Sequence, residues 1–203
     1  MKIFCVGRNY VAHVSELGNE IPDEPIIFMK PKSALLQPHT PFYYPEFTNE
    51  LHYESELVLR ISKNGKYIQE KFASKYYDAV TIGIDFTARD IQNQLKEKGL
   101  PWEKAKAWDN SAAVGKWIPL ANIKNKKDIN FCLYKNKELV QQSNANMMIH
   151  NFDQIVSYIS NFFSVNIGDL VFTGTPAGVG EIVVGDEMEG FIEDESLLQL
   201  DVK

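Results

Sequence analysis

Strand-like runs dominate the chain. Short segments that are β-branched or alternate apolar with polar, and that end at Gly, Asn or Pro, predict strands over residues 2–6, 26–30, 54–61, 79–86, 129–135, 170–173 and 197–202. Lys135-Asn136-Lys137 reads as a hairpin tip. Three segments predict helices. Asn9 would cap a short one through Leu17, with Gly18 ending it. Thr87 would cap a second through Lys98, with Gly99 and Pro101 as stop signals. The third runs from about Asn151 to Phe163, where Phe152, Ile155, Val156, Ile159, Phe162 and Phe163 recur at helical spacing and read as core. Residues 38–45, rich in Pro, and 122–128, rich in Lys, read as connections. Strands and helices do not alternate regularly, so the expected class is mostly β with a few helices, α+β, and not a doubly wound parallel sheet.

Composition narrows the function classes more than the fold. An apolar content of 44% and a charged content of 24% over 203 residues describe an ordinary globular chain. Neither polar connection resembles a linker, so one domain over residues 1–203 is expected. A net charge of −6 argues against nucleic acid as a partner, because phosphate binding needs clustered cations. It leaves an anionic small substrate open, since a bound divalent cation reverses the local field. Cys5 and Cys132 lie far apart in apolar runs and read as small buried hydrophobes. The N-terminus carries only a four-residue apolar stretch and no run approaches a membrane span, so the expected location is cytoplasmic with no membrane partner.

The candidate chemistry begins at His52-Tyr53-Glu54-Ser55-Glu56-Leu57. On a strand, Glu54 and Glu56 would share a face, with Cα atoms about 6.6 Å apart. Two like charges on one face repel, and a divalent cation between them would remove the penalty. An exposed acidic strand face accounts for this pair equally well. Asp85 ends the run Ile82-Gly83-Ile84-Asp85 at a strand-to-helix junction, a common place for site residues, or it caps that helix. Three carboxylates without a Cys or His cluster favour a hard cation: magnesium or manganese, with calcium admitted by the same oxygens. Arg89 and Gln92, three apart, share a helix face, and Arg suits a substrate carboxylate.

Other groups could act beside such a cation. His13 and Glu16 lie three apart, and a carboxylate beside an imidazole raises its basicity as a general base requires. They also read as a helix-surface pair. Lys106 is flanked by Ala105 and Ala107, which suits a lysine pointing into a pocket. Gly174-Thr175-Pro176-Ala177-Gly178-Val179-Gly180 is a backbone-exposed loop that lacks the Lys of a phosphate-binding loop. It reads either as a turn or as a carboxylate-binding loop using Thr175 and backbone N–H groups.

The order of these segments resembles the fumarylacetoacetate hydrolase family. Arg8-Asn9-Tyr10 with His13 and Glu16, Phe28-Met29-Lys30-Pro31, the stretch around Glu54 and Glu56, Asp85-Phe86-Thr87-Ala88-Arg89-Asp90-Ile91-Gln92, Lys104-Ala105-Lys106, and Gly168 to Pro176 carry the likeness across nearly the whole chain. The likeness is greatest to short members such as acylpyruvases and oxaloacetate decarboxylases. It implies a mixed β-sandwich roll, a homodimer, and Mg²⁺ or Mn²⁺ on Glu54, Glu56 and Asp85. It makes His13 and Glu16 the water-activating pair and Lys106 a catalytic cation. It assigns Arg8, Tyr10, Arg89, Gln92 and Thr175 to a small 2-oxo acid substrate. Trp108 replaces the Phe common in relatives and is expected to narrow the pocket.

The expected activity is metal-dependent carbon–carbon hydrolysis of acylpyruvate-type 2-oxo acids, with oxaloacetate decarboxylation at the same site. An isomerase, tautomerase or hydratase of 2-hydroxy-dienoate or 2-oxo dicarboxylic acids is the alternative. A non-catalytic, metal-stabilised binding protein is another, although it would need none of His13, Glu16 and Lys106. The short helix bounded by Gly7 and Gly18 is expected to act as a lid.

Overall fold

The computed structural model describes residues 1–16 and 22–203. Along the chain run β1 (Ile3–Gly7), α1 (Val11–Glu16), β2 (Ile26–Lys30), β3 (Leu51–Tyr53), β4 (Ser55–Ile61), α2 (Glu70–Ala73), β5 (Tyr77–Asp85) and β6 (Thr87–Ala88). Then come α3 (Arg89–Glu97), α4 (Glu103–Lys106), β7 (Ala112–Val114), β8 (Ile118–Pro119), β9 (Asn130–Lys135) and β10 (Glu138–Asn144). The chain closes with α5 (Phe152–Phe162), β11 (Leu170–Phe172), β12 (Gly180–Glu181), β13 (Glu187–Ile192) and β14 (Glu195–Asp201). Among the described residues no helix is long and apolar enough to cross a membrane.

The largest sheet has the order β2-β1-β11-β4-β5-β7, with β8 also pairing β5. Within it β1 and β11 run parallel and the other pairs antiparallel, so the sheet is mixed. Its central strands are buried on both faces, which explains their near-continuous apolar sequences. Leu57, Leu59 and Ile61 of β4 and Ile82 and Ile84 of β5 face a large core. A second sheet, β10-β9-β13-β14, covers that face and adds Phe131, Leu133, Met188 and Leu198. The alternate residues of β4 face inward on the opposite side, where Val58 joins Ile3, Cys5, Leu170, Phe172 and Ala112 in a small second core.

The largest sheet curls around that small core. Beyond β2, Leu35 bridges Ala112 of β7, and the amide of Leu36 donates to the Ala112 carbonyl at 2.8 Å. Coiled, twisted strands close in this way when one face must surround a filled interior. The expected mixed sandwich with rolled strands and few helices is therefore the observed architecture. A third, short sheet, β12-β3-β6, lies at the end where β4 and β5 stop.

Several local expectations change. Thr87 does not cap α3: it lies in β6, and Ala88 occupies the cap position without a side-chain bond. Asp90 meets the exposed amides instead, accepting from Ile91 and Asn49. Asn9 does not cap α1. Its side-chain amide donates to the carbonyls of His150 and Thr173 and accepts from the His150 amide, joining three chain segments. The expected end of that helix at Leu17 and Gly18 lies outside the described residues. The long helix begins as its spacing predicts, with Asn151 and Gln154 forming a reciprocal capping box. Asn136 and Lys137 both take positive φ at the predicted tip joining β9 and β10. Cys5 is buried, but Cys132 is only partly so.

Candidate active site

The site lies at one end of the small core, where β4 and β5 run out. Alternation along β5 sends Ile82 and Ile84 to the large core and Asp85 to the opposite face. Glu56 pairs with Gly83 on that same face. Glu54 does not lie in a strand, contrary to the expected 54–61 run. It occupies the break between β3 and β4, where the chain leaves one sheet for another. Its carbonyl holds the Asp85 amide at 2.8 Å, which draws the two carboxylates together. One oxygen from each of Glu54, Glu56 and Asp85 lies within 4.8 Å of the others, and all three side chains are buried.

Two buried lysines and an arginine hold this acidic cluster. Lys106, at the end of α4, places Nζ 2.8 Å from Glu54 Oε2, 2.8 Å from Asp85 Oδ2 and 2.6 Å from Thr87 Oγ1. Thr87 thus serves the site rather than a helix end. Arg89 donates through Nη2 to Glu54 Oε1, through Nη1 to Gln92 and through Nε to His52. Lys30, the last residue of β2, sits 2.8 Å from Asp85 Oδ1. Its protons point to the carbonyls of Lys106 and Ser111 and to Ser111 Oγ, so Asp85 Oδ1 receives no directed hydrogen bond. The sheet must curl for a β2 residue to reach β5.

The three carboxylates differ electrostatically. Burial alone would raise the Glu54 carboxyl, but Lys106 and Arg89 hold it well below the usual carboxylate range. Glu56 has no such partner. Burial, then Asp85, push its carboxyl well above that range, against the Gly174 amide, 2.6 Å from Oε2, and the charge of Lys106. Burial disfavours charge on Lys106 too, yet Asp85 and Glu54 keep its ammonium above the usual lysine range. An all-oxygen donor set with one unbonded oxygen and one carboxylate lacking a cation fits a hard divalent ion. Glu54, Glu56 and Asp85 could hold it.

Residues 2–203 match the fumarylacetoacetate (FAA) hydrolase C-terminal family. The chain belongs to that family. It is 37% identical over 201 residues, 99% of this chain and 91% of the relative, to the mitochondrial oxaloacetate tautomerase FAHD1 of Mus musculus. It is 37% identical over 197 residues, 97% of this chain and 90% of the relative, to the oxaloacetate tautomerase YcgM of Escherichia coli. Among solved structures, the fumarylpyruvate hydrolase of Pseudomonas aeruginosa in complex with Mn²⁺ and pyruvate superposes with a TM-score of 0.94 at 37% identity, covering 100% of this chain and 89% of that one.

The cleft of this family member is lined by most of the residues its sequence singled out: Arg8, His13, Glu54, Glu56, Asp85, Arg89, Gln92, Lys106 and Thr175. His13 is buried, with Nδ1 3.3 Å from Glu16 Oε2. Burial lowers its pKa below 6.5, only partly offset by Glu54 and Glu16, so the imidazole is neutral near pH 7. The loop after β11 directs the Gly174 amide to Glu56 and the Gly178 amide to Glu16 at 3.0 Å. Those amides therefore bind the protein's own carboxylates. Thr175 Oγ1 accepts from Gln141.

Tyr10 is not among the residues that line the cleft: its ring lies in the large core, edge-on to Phe131. Trp108 does not narrow the pocket. It stacks behind Lys30, 5.6 Å from Nζ, and packs against Phe47. Two lysines at the site carried no assigned role in the sequence. Lys30 announces itself only as a lysine ending an otherwise apolar strand, Ile26–Lys30. Lys96 lines the cleft one further turn along the helix face of Arg89 and Gln92.

Proposed function

We propose that the chain is a divalent-metal-dependent enzyme that interconverts the keto and enol forms of oxaloacetate. The observation that carries the reading is a buried, neutral imidazole, backed by a carboxylate, in the same cleft as three converging carboxylates. Glu54, Glu56 and Asp85 would hold Mn²⁺ or Mg²⁺. When bound, such an ion acts as a Lewis acid that polarises the 2-oxo group. The relatives that share 37% identity across almost the whole chain and are named oxaloacetate tautomerases support this reaction.

His13 would take a proton from the carbon beside the 2-oxo group; the C–H pair would form the C=C bond, the carbonyl π pair would move to the oxygen, and the His13 imidazolium would return the proton to that oxygen. Glu16, at 3.3 Å, orients the ring and stabilises the imidazolium formed. Lys106 adds fixed positive charge where negative charge develops, from a buried position beside Glu54 and Asp85. Arg89 and Gln92 act mainly by positioning Glu54, since each Arg89 nitrogen already donates to a protein group.

Carbon–carbon hydrolysis of acylpyruvates, the activity expected first from the sequence, is the second reading. The likeness to the Pseudomonas fumarylpyruvate hydrolase favours it, and His13 with Glu16 would then activate water. The test follows the enol absorbance of oxaloacetate and the release of pyruvate from fumarylpyruvate, each with Mn²⁺ and with EDTA. Faster Mn²⁺-dependent enol–keto relaxation is expected. No acceleration of either reaction in Mn²⁺ would overturn the proposal.

A further inference from the structure

The face of α3 turned to the cleft carries Arg89, Gln92 and Lys96, spaced three and then four residues apart along one helical stripe. The first two are bonded to protein groups. Lys96 is not: no described residue forms an ion pair with it, and its ammonium lies 5.9 Å from the Trp102 ring centroid. Arg8 lines the same cleft and likewise pairs with no described residue. Its φ of 59° places it in the left-handed region, which a non-glycine residue occupies at a cost. Burial, then the charges of Arg89 and Arg8, push the Lys96 ammonium below the usual lysine range.

The charge balance of the cleft points to what relieves this repulsion. Its wall carries Arg8, Arg89, Lys96 and Lys106 against Glu54, Glu56 and Asp85. A divalent cation on the carboxylates would leave three positive charges in excess when all are ionised. A monoanionic 2-oxo acid cancels one of them, and a dianionic one cancels two. The first carboxylate and the 2-oxo group belong at the acidic end. The unpaired cations line the same cleft without a described ion-pair partner and are available to a second carboxylate.

We infer that Lys96, assisted by Arg8, forms a subsite for the distal carboxylate of a dianionic 2-oxo acid and thereby sets the preference for dicarboxylates over monocarboxylates. This rests on the reading of the cleft as a 2-oxo acid site. Lys96 is a specificity-determining residue here and takes no proton in the reaction.

The test compares two 2-hydroxy acids that present the same chelating end and differ in the distal carboxylate: lactate and malate. Binding to the Mn²⁺-loaded full chain is measured by calorimetry. Wild type should bind malate at least about tenfold more tightly than lactate, since a half-buried charge pair exceeds the 1.4 kcal/mol of a tenfold change. Lys96→Gln should bring that ratio close to one and leave lactate within about twofold of wild type. Lys96→Arg should keep most of the preference. A wild-type ratio near one, undetectable malate binding, an unchanged ratio in Lys96→Gln, or equal weakening of both acids would each overturn the subsite. Malate selectivity lost in Lys96→Gln without turnover of any 2-oxo acid by wild type would instead keep the subsite and remove the proposed reaction.

Discussion

Glu56 is the carboxylate of the cluster that no cation neutralises. Lys106 lies 2.8 Å from both Glu54 and Asp85, Arg89 bonds Glu54, and Lys30 pairs with Asp85. Glu56 accepts from the Gly174 amide and forms no ion pair with a described residue. Burial and the neighbouring Asp85 raise its pKa well above 4.5, so without metal the folded protein keeps a proton that the unfolded chain releases. The sign follows directly. Stability that is complete below about pH 4.5 falls as pH rises towards the folded pKa, at about 1.4 kcal/mol per pH unit for one proton. Glu56→Gln keeps the size and the acceptor for Gly174 but cannot ionise. In EDTA, urea unfolding from about pH 5 to pH 8 should show wild type losing ground to the variant at up to that slope, leaving the variant at least about 1 kcal/mol more stable at neutral pH. In Mn²⁺ the order should reverse. Wild type gains about 2.7 kcal/mol at a hundredfold excess over its dissociation constant, and the variant, lacking one anionic ligand, gains far less. Parallel pH slopes in EDTA, or an undiminished Mn²⁺ gain in Glu56→Gln, would refute the reasoning.

His13→Ala should lower kcat about 10²-fold while Mn²⁺ binding by calorimetry stays within about twofold. The wild-type kcat/KM profile should fall on its acid side below pH 6.5, because burial of His13 favours the neutral ring, and a limb above that value would contradict it. Lys106→Met removes the buried cation between Glu54 and Asp85 and should destabilise the metal-free protein by about 3–5 kcal/mol, with a smaller loss in Mn²⁺ as measured by thermal unfolding. Asn9→Ala deletes the buried bonds to Thr173 and His150 and should cost about 2–3 kcal/mol in urea unfolding, and a loss below about 0.5 kcal/mol would deny Asn9 its structural role.

Local chemistry made much of the protein legible in the sequence. Residues 151–163 carry their own cap, stripe and end, and the observed helix Phe152–Phe162 obeys them. Alternation and β-branching located β1, β2 and most of β4 and β5, because strands buried on both faces leave apolar runs that few other elements produce. The acidic residues of the site were visible for the opposite reason: carboxylates inside such runs are costly unless something binds them. β10 and β13 escaped, since their exposed faces interleave polar residues, Gly and few β-branched ones.

What the sequence by itself determined was which residues are buried at a cost. The tertiary structure alone decided what relieves that cost. Curling of the large sheet brought Lys30 to Asp85, and a sheet break put Glu54 beside them. It sent Tyr10 into the core, made Asn9 a clamp rather than a cap, and aimed Lys96 at the cleft. Each of these depends on contacts between segments distant along the chain. Periodicity reads only neighbours within a turn or a strand, so it cannot show which distant charge a buried group will meet.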